Sequence, residues 1–260
     1  MRVVVVTRST PDTAAKVQVG GDGKVSWGDA QMVINPWDEY SVTEAVILKE
    51  NKGVQTSILA VGPELHNDSL KQGLAIGMDE AYRVWDDGMD GLDSLGTATA
   101  IAGAITKIGD VGLVIFGKEM VDVASDAHIF QVGRKLGWPV LGSVFKITAI
   151  DFDAKTITVE RLIEEGKQIV TSKLPAVISV LKDINEPRYP NFIGIRKASK
   201  ANIPVWSRAD LGVATAEPGV KVTGYRNLPV RTGSVELIDG GSDEEKAEKL
   251  VAKLIEEKLI

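Results

Sequence analysis

Apolar positions along the chain fall into short unbroken runs separated by stretches of helical spacing. Val3 to Val6 is β-branched, lacks alternation and meets Ser9-Thr10-Pro11-Asp12, which predicts a buried parallel strand emptying into a surface loop. Thr56 to Val61 before Gly62-Pro63, Ala81 to Trp85, and Val111 to Phe116 before Gly117 repeat that pattern. Between them Ser41 and Glu44 form a capping box, and Val42, Ala45 and Val46 follow at helical spacing. A helix is therefore expected from there, with Asn35-Pro36-Trp37-Asp38 just upstream of it. Further helices are expected from about Glu64 to Gly77, from Thr97 to Lys107, and after the Gly117 loop as far as Leu136. Such alternation over residues 1–138 predicts an α/β fold, a doubly wound, mostly parallel sheet with helices on both faces. Ligands of such sheets sit at the carboxyl ends of the strands.

Beyond residue 138 the pattern changes. Ser143 to Asp151, Thr156 to Ile163 and Gln168 to Thr171 alternate apolar and polar positions, a small antiparallel excursion before the buried run Ala176 to Leu181. From Ile203 to Gly240 the chain carries Pro204, Pro218 and Pro229 and no sustained periodicity, so it is either disordered or laid across something else. Ser242-Asp-Glu-Glu245 is a second capping box, opening an amphipathic helix through Ala247, Leu250, Val251 and Leu254. The expected organisation is a nucleotide-binding α/β domain over 1–202, with a docking loop at 183–200, and an extended arm with a C-terminal helix over 203–260. That arm is read as wrapping a partner subunit; a helix docked on its own domain is the plainer alternative.

Composition narrows the chemistry. Among 260 residues, 30 Lys and Arg against 36 Asp and Glu give a net charge of -6, so no basic field favours nucleic acid. The absence of cysteine excludes disulfides, thiolate metal sites, iron–sulfur ligation and a thiol nucleophile, leaving redox chemistry to a bound cofactor. The apolar run at the N-terminus is far shorter than a secretory signal, and no stretch reaches membrane-spanning length. A cytoplasmic location without direct membrane insertion is expected. Neither a phosphate-loop motif nor a Gly-x-Gly-x-x-Gly fingerprint follows the first strand. His66 and His128 are the only histidines, with no nearby carboxylate pair, so neither a metal site nor a catalytic triad is expected.

Three segments carry candidate chemistry. In the loop from Gly117 the residues Ser125 and Asp126 precede a helix whose free N–H groups and positive dipole end suit a phosphate; equally, they only cap that helix. Asn35 and Asp38 offer an amide and a carboxylate to an adenine or ribose edge, or else form an ordinary Asn-Pro turn with a solvated acid. Asn185-Glu186-Pro187-Arg188-Tyr189-Pro190 leads into Phe192, Ile193 and Ile195 among Arg196, Lys197 and Lys200. That pattern fits either a docking loop for an acidic partner surface or an amphipathic helix packed apolar face inward.

At these residues the chain resembles the β subunit of an electron transfer flavoprotein. The resemblance runs through Asn35 to Tyr40 with Glu44-Ala45, Gly62-Pro63, Leu74 to Asp79, Gly117-Lys118 with Asp122, Leu136-Gly-Trp-Pro139 and Leu174 to Val177. Asn185-Glu-Pro-Arg-Tyr189 with Lys197-Ala198, Val230-Arg-Thr-Gly233 and the last helix complete it. It implies an adenine nucleotide α-hydrolase-like sheet and a heterodimer with an α subunit that carries most of the redox-active FAD. It also implies a nucleotide within this chain: AMP, or in bifurcating members a second FAD that accepts a hydride from NADH. The contacts implied for that nucleotide fall on Val6, Asn35, Pro36, Trp37, Asp38, Val61, Gly117, Lys118, Asp122, Val123, Ala124, Ser125, Asp126, Ala127 and His128. The residue approaching the α-bound flavin falls on Thr13, and the anchor for partner docking on Phe192, supported by Asn185, Glu186, Pro187, Arg188, Tyr189, Arg196, Lys197 and Lys200. Electron delivery from flavin dehydrogenases to a quinone reductase or another acceptor follows from the resemblance, with no catalytic acid, base or nucleophile in this chain.

Two departures matter. Ala127-His128-Ile129-Phe130 stands where the family usually has Gln-Thr-Gly-Gln, so Ile129 replaces a glycine that permits close phosphate approach. Pro11-Asp12-Thr13 is similar to bifurcating relatives, whereas Asn35 to Tyr40 is similar to the AMP type, and the balance falls to AMP. A flavin-free nucleotide-binding regulator or ATP-cleaving protein on the same sheet is the alternative from another class.

Overall fold

The computed structural model describes residues 1–214, 218–229 and 233–260. The apolar run at the start forms β1 (Arg2–Thr7). Short strands follow: β2 (Ser9–Pro11), β3 (Gln18–Val19), β4 (Val25–Ser26) and β5 (Met32–Ile34), with β2 pairing antiparallel to β5 and β3 to β4. Pattern alone predicts only a loop there, because strands of this length leave no readable alternation. Then α1 (Pro36–Lys52), β6 (Gln55–Val61), α2 (Asn67–Ile76), β7 (Glu80–Val84), α3 (Ser94–Ile108), β8 (Val111–Gly117) and α4 (Ala127–Leu136) alternate as expected. The excursion is β9 (Val140–Asp151), β10 (Thr156–Ile163) and β11 (Gly166–Lys173), after which β12 (Ala176–Val180), α5 (Phe192–Ser199), β13 (Val205–Trp206) and α6 (Asp243–Glu256) complete the described elements.

A nine-stranded sheet runs in the order β11-β10-β9-β12-β8-β1-β6-β7-β13. The β9–β10 and β10–β11 pairs are antiparallel and the remaining pairs parallel. Alternate side chains of β1 feed opposite layers. Val3 and Val5 pack with Val42, Ala45 and Leu48 of α1 and Leu70 of α2, while Val4 and Val6 pack with Ala98, Ile101 and Ile105 of α3 and Ile129 and Val132 of α4. Since β6 and β8 flank β1 on its two sides, the strand order reverses direction there, and the carboxyl ends of these strands diverge into a crevice.

The expected start of α1 is corrected. The helix opens at Pro36, whose ring pre-sets the first helical φ, with Asp38 and Glu39 on its positive end. Ser41 and Glu44 lie inside it and form no capping box: Ser41 is buried and Glu44 accepts a hydrogen bond from Asn185 Nδ2 at 2.9 Å. Pro36, Trp37 and Asp38 are therefore helical residues.

The chain divides into two compact units, residues 1–224 and 225–260. Within the first, the stretch after Ile203 begins as an ordered edge strand: Val205 and Trp206 pair with Arg83 and Val84, and the Trp206 ring stacks on Tyr82 at 4.5 Å. In the second, Ser242 accepts from the Glu245 N–H at 3.2 Å and Glu245 accepts from the Gly241 N–H at 2.7 Å, capping α6 much as its sequence predicts. Of the tail motif Val230 to Gly233, residues 230–232 lie outside the described residues.

Candidate functional site

The crevice at the carboxyl ends of β1, β6, β7 and β8 holds a pocket of about 220 Å³. Its apolar wall comprises Trp85, Met89, Leu92, Ile101 and Phe116, and its polar side Arg8, Asn35, Asp38, His66, Glu119 and His128. Parallel strands ending beside one another bring these residues together from widely separated parts of the chain.

Asp38 sits on the floor and is 5% exposed. Its carboxylate accepts from the Gly117 N–H at 3.2 Å and from the Thr7 hydroxyl at 2.9 Å, which ties the first turn of α1 to the ends of β8 and β1. Burial pushes its pKa up to about 7, against opposing hydrogen bonding from Asn35, Thr7 and the Gly117 and Arg8 backbone. Gly117 belongs to the same arrangement: a Cβ there would meet the Trp37 backbone carbonyl carbon at 2.6 Å, so only glycine lets α1 come this close to β8. The expectation of a solvated acid at Asp38 is thus overturned. Asn35, at the N-cap of α1, makes no cap bond; its amide donates to the Glu119 carbonyl at 2.9 Å and accepts from the Val121 N–H at 3.1 Å. Both residues line the pocket with their main hydrogen bonds directed into the protein, so they shape its wall and hold its loop.

The loop after β8 is pinned a second time. Arg8 donates to Asp122 at 2.7 Å and to the Met120 sulfur at 3.1 Å, while its Nε is buried without a partner among the described residues. The Met120 N–H donates to the Ser125 carbonyl at 3.0 Å across a turn in which Ala124 takes a positive φ of 46°. Neither Ser125 nor Asp126 caps α4: Asp126 occupies the N-cap position without a side-chain bond, so that plain expectation is corrected. His128, in the first turn of α4, lines the pocket with its ring edge-on to Phe116 at 5.3 Å, and its Nδ1 is buried and unpartnered among the described residues. Ile129 is 1% exposed and packed in the core layer with Val6 and Phe116. Its side chain is not part of the pocket lining.

Both histidines are buried and held neutral, with pKa values lowered to about 4 chiefly by desolvation and further by the Arg8 charge. His66 accepts the Ser9 N–H on Nδ1 at 3.0 Å. Among the described residues no group of three or more His, Asp and Glu side chains could hold a metal ion.

Residues matching a sequence model of the electron transfer flavoprotein domain span 25–211, most of the described sheet and the pocket's loop. The chain belongs to the electron transfer flavoprotein family. It is similar to the Caffeyl-CoA reductase-Etf complex subunit CarD of Acetobacterium woodii, at 29% identity over 265 residues covering 100% of both chains. It is 33% identical over 269 residues to the electron transfer flavoprotein subunit beta of Mycobacterium tuberculosis, covering 99% of each. Protein FixA of Azorhizobium caulinodans matches at 30% identity over 217 residues, 82% of this chain and 77% of the relative.

Of the positions that the family resemblance marks for a nucleotide, Val6, Asn35, Asp38, Val61, Gly117 and His128 line the pocket. Pro36, Trp37, Lys118, Asp122, Val123, Ala124, Ser125, Asp126 and Ala127 are outside its lining. Lys118 instead sets its ammonium over the Trp37 ring at 5.2 Å, and Thr13 lies exposed in the turn after β2. Sequence reasoning missed Arg8, Trp85 and Met89, and set His66 aside as a metal ligand without placing it in a pocket. Their common signal is position one or a few residues past a strand's carboxyl end.

The segment 185–200 is a separate region. Asn185 donates to the Tyr40 carbonyl at 3.1 Å as well as to Glu44, and Arg188 makes a two-pronged ion pair with Glu50 at 2.7 and 2.9 Å. These bonds fix the loop on α1. α5 lies against α2 through Gly194, where a Cβ would collide with the Ala75 carbonyl. Consequently Phe192, Ile193 and Tyr189 face outward, Phe192 at 91% exposure, among the exposed cations Arg196, Lys197 and Lys200. The inward-packed amphipathic alternative is overturned.

Proposed function

We propose that this chain is the β subunit of a heterodimeric electron transfer flavoprotein, with an adenine nucleotide in the pocket at the ends of β1, β6 and β8 and the redox-active FAD carried mainly by an α subunit. The observation that carries the reading is the pocket itself, a crevice at the point where the strand order reverses, in a chain of this family. The residues fit such a ligand. An apolar wall with Trp85 suits a base, and the unpartnered Nε of Arg8, the unpartnered Nδ1 of His128 and the uncapped first turn of α4 suit a phosphate. A volume of about 220 Å³ is nearer to what a mononucleotide such as AMP needs than to what the larger dinucleotide FAD needs. Bound FAD would supply the capacity to accept and release electrons. This chain's part is to hold the nucleotide, keep the loop 117–126 closed through Asn35, Arg8 and Asp38, and present Thr13 toward the α-held flavin.

The outward face of α5 is read as the docking surface for flavin dehydrogenases, with Phe192 as the apolar anchor and Arg196, Lys197 and Lys200 steering an acidic partner. A quinone reductase or another acceptor would take the electrons on. The tail and α6, which carries exposed Leu250, Val251 and Ile255, would lie on the α subunit. No helix among the described residues is long and apolar enough to cross a membrane, which is compatible with a cytoplasmic carrier.

Purifying the chain with its α partner, denaturing the complex and quantifying released nucleotides tests the reading. One FAD and one AMP per heterodimer is the expected outcome. Two FAD and no AMP would replace it with a bifurcating enzyme oxidising NADH, and a colourless complex would leave a flavin-free nucleotide-binding protein.

A further inference from the structure

We propose that His66 is a hydrogen-bond donor of fixed tautomer to the nucleotide in this pocket, an inference that rests on the nucleotide reading above. The Ser9 N–H points at Nδ1 from 3.0 Å, so Nδ1 must present its lone pair. A neutral imidazole whose Nδ1 is an acceptor carries its one proton on Nε2. The ring lines the pocket and is buried, and Nε2 has no hydrogen-bond partner among the described residues. An N–H that lines a pocket without a protein partner is available to an acceptor atom of a ligand.

The ring is held from several sides. Gly62 takes a φ of 147°, a conformation that side chains disfavour, and the imidazole lies in the space that a Cβ there would occupy. The Ser9 hydroxyl donates to the Leu65 carbonyl at 3.0 Å, the Ser69 hydroxyl to the His66 carbonyl at 2.9 Å, and the His66 N–H to the Pro63 carbonyl at 3.1 Å. These bonds join β2 to the turn after β6 and fix the direction of Nε2 before any ligand arrives, so little ordering is left to binding. Arg8 and Arg83 are the charges that bear on the ring, and both oppose its protonation. His66 is therefore a neutral donor, which selects an acceptor atom of the adenine nucleotide, a ring nitrogen or an oxygen, over a donor at the same place. Sites built on a buried donor discriminate strongly against analogues lacking the acceptor.

The test uses the α/β complex, with this chain alone labelled with 15N-histidine and bound nucleotide removed by dialysis. Long-range proton–nitrogen correlation spectra report which ring nitrogen bears the proton, with His128 assigned by His128→Asn. The expected result is a His66 proton on Nε2 whose resonance moves when AMP is added. By titration calorimetry, His66→Phe weakens AMP binding about tenfold, and His66→Gln, whose amide nitrogen reaches the place of Nε2, restores most of it. A proton on Nδ1, an Nε2 resonance unmoved by saturating AMP, or full affinity in the Phe variant overturns the proposal. Should the Phe variant fail to fold, the spectra of the unsubstituted complex decide alone. An unsubstituted complex that binds no AMP removes the nucleotide reading as well, whereas binding without a His66 response removes only the role of His66.

Discussion

The floor of the pocket and the outer face of α5 treat side chains in opposite ways. At the pocket, Asp38, Asn35, His66 and His128 are buried polar groups beside two largely aliphatic core layers. On α5, Phe192 and Ile193 are apolar groups set in water beside lysines and an arginine. Both arrangements cost stability if the chain is considered alone. The difference lies in what relieves them. Asp38 and Asn35 are relieved within the chain, by Thr7, Gly117, Glu119 and Val121, so the pocket wall is pre-formed. Phe192 has no such relief among the described residues, where it is 91% exposed. The proposed ligand site and the proposed docking face thus differ in kind, one walled by buried polar groups that the chain itself largely pairs and the other by exposed apolar groups.

That contrast is most severely tested at Asp38. Asp38→Ala leaves the Gly117 N–H and the Thr7 hydroxyl buried without an acceptor, and chemical denaturation is expected to show a loss of about 2–4 kcal/mol together with loss of copurifying nucleotide. Retention of both would mean that the floor is not organised by this carboxylate.

The pocket's titratable groups give the next effect. Asp38 is raised to about 7, so between its unfolded value of about 4 and that point the folded protein holds the extra proton, and stability from this group is lost as pH rises. His66 and His128 are lowered to about 4, so between there and about 6.5 the unfolded chain holds the extra protons, and stability from these groups is lost as pH falls. The two trends oppose one another. Asp38→Asn removes one of them, and unfolding free energy should rise more steeply with pH over about 4.5–6.5, by up to ~1.4 kcal/mol per pH unit. An unchanged slope would mean that Asp38 titrates normally.

Phe192→Ala probes the other region and should separate binding from folding. Stability is expected to stay within about 0.5 kcal/mol, because the ring is 91% exposed, while electron transfer from a cognate dehydrogenase slows by about tenfold or more. Stopped-flow reduction of the complex reads the rate, and flavin content serves as the control. The smallest effect is placed at Lys118→Ala, where loss of the contact with the Trp37 ring should cost ~0.5 kcal/mol and leave nucleotide content unchanged. Loss of nucleotide there would move Lys118 from the Trp37 ring to the ligand.

Much of this architecture is legible in the sequence. Unalternating β-branched runs such as Val3 to Val6 mark strands buried on both faces, and the alternation of Thr156 to Ile163 marks a strand of the antiparallel excursion. The start of α1 is masked in the sequence because Ser41 and Glu44 satisfy the capping pattern by coincidence, while Pro36 carries the actual start. The pocket was legible only in part. Asn35, Asp38, Gly117 and His128 are singled out by motif, yet whether Asp38 is solvated or buried depends on Thr7 and Gly117, distant in the chain and adjacent only through parallel pairing. Arg8 and Trp85 carry no local signal that distinguishes them from ordinary loop residues.

The sequence by itself determined the order of the longer elements, the parallel sheet with its antiparallel extension and the capped terminal helix, because periodicity, caps and turn chemistry act over a few residues. It also determined the family, through segments such as Asn185 to Tyr189 whose wording is specific. Tertiary structure decided which polar groups are used up and which are left to meet a ligand. Asn35 is consumed in holding a loop, His66 is left with one free donor, and Phe192 is turned outward because Gly194 brings α5 onto Ala75. These outcomes depend on hydrogen-bond partners and close contacts between residues far apart in the chain, and no short-range pattern encodes them.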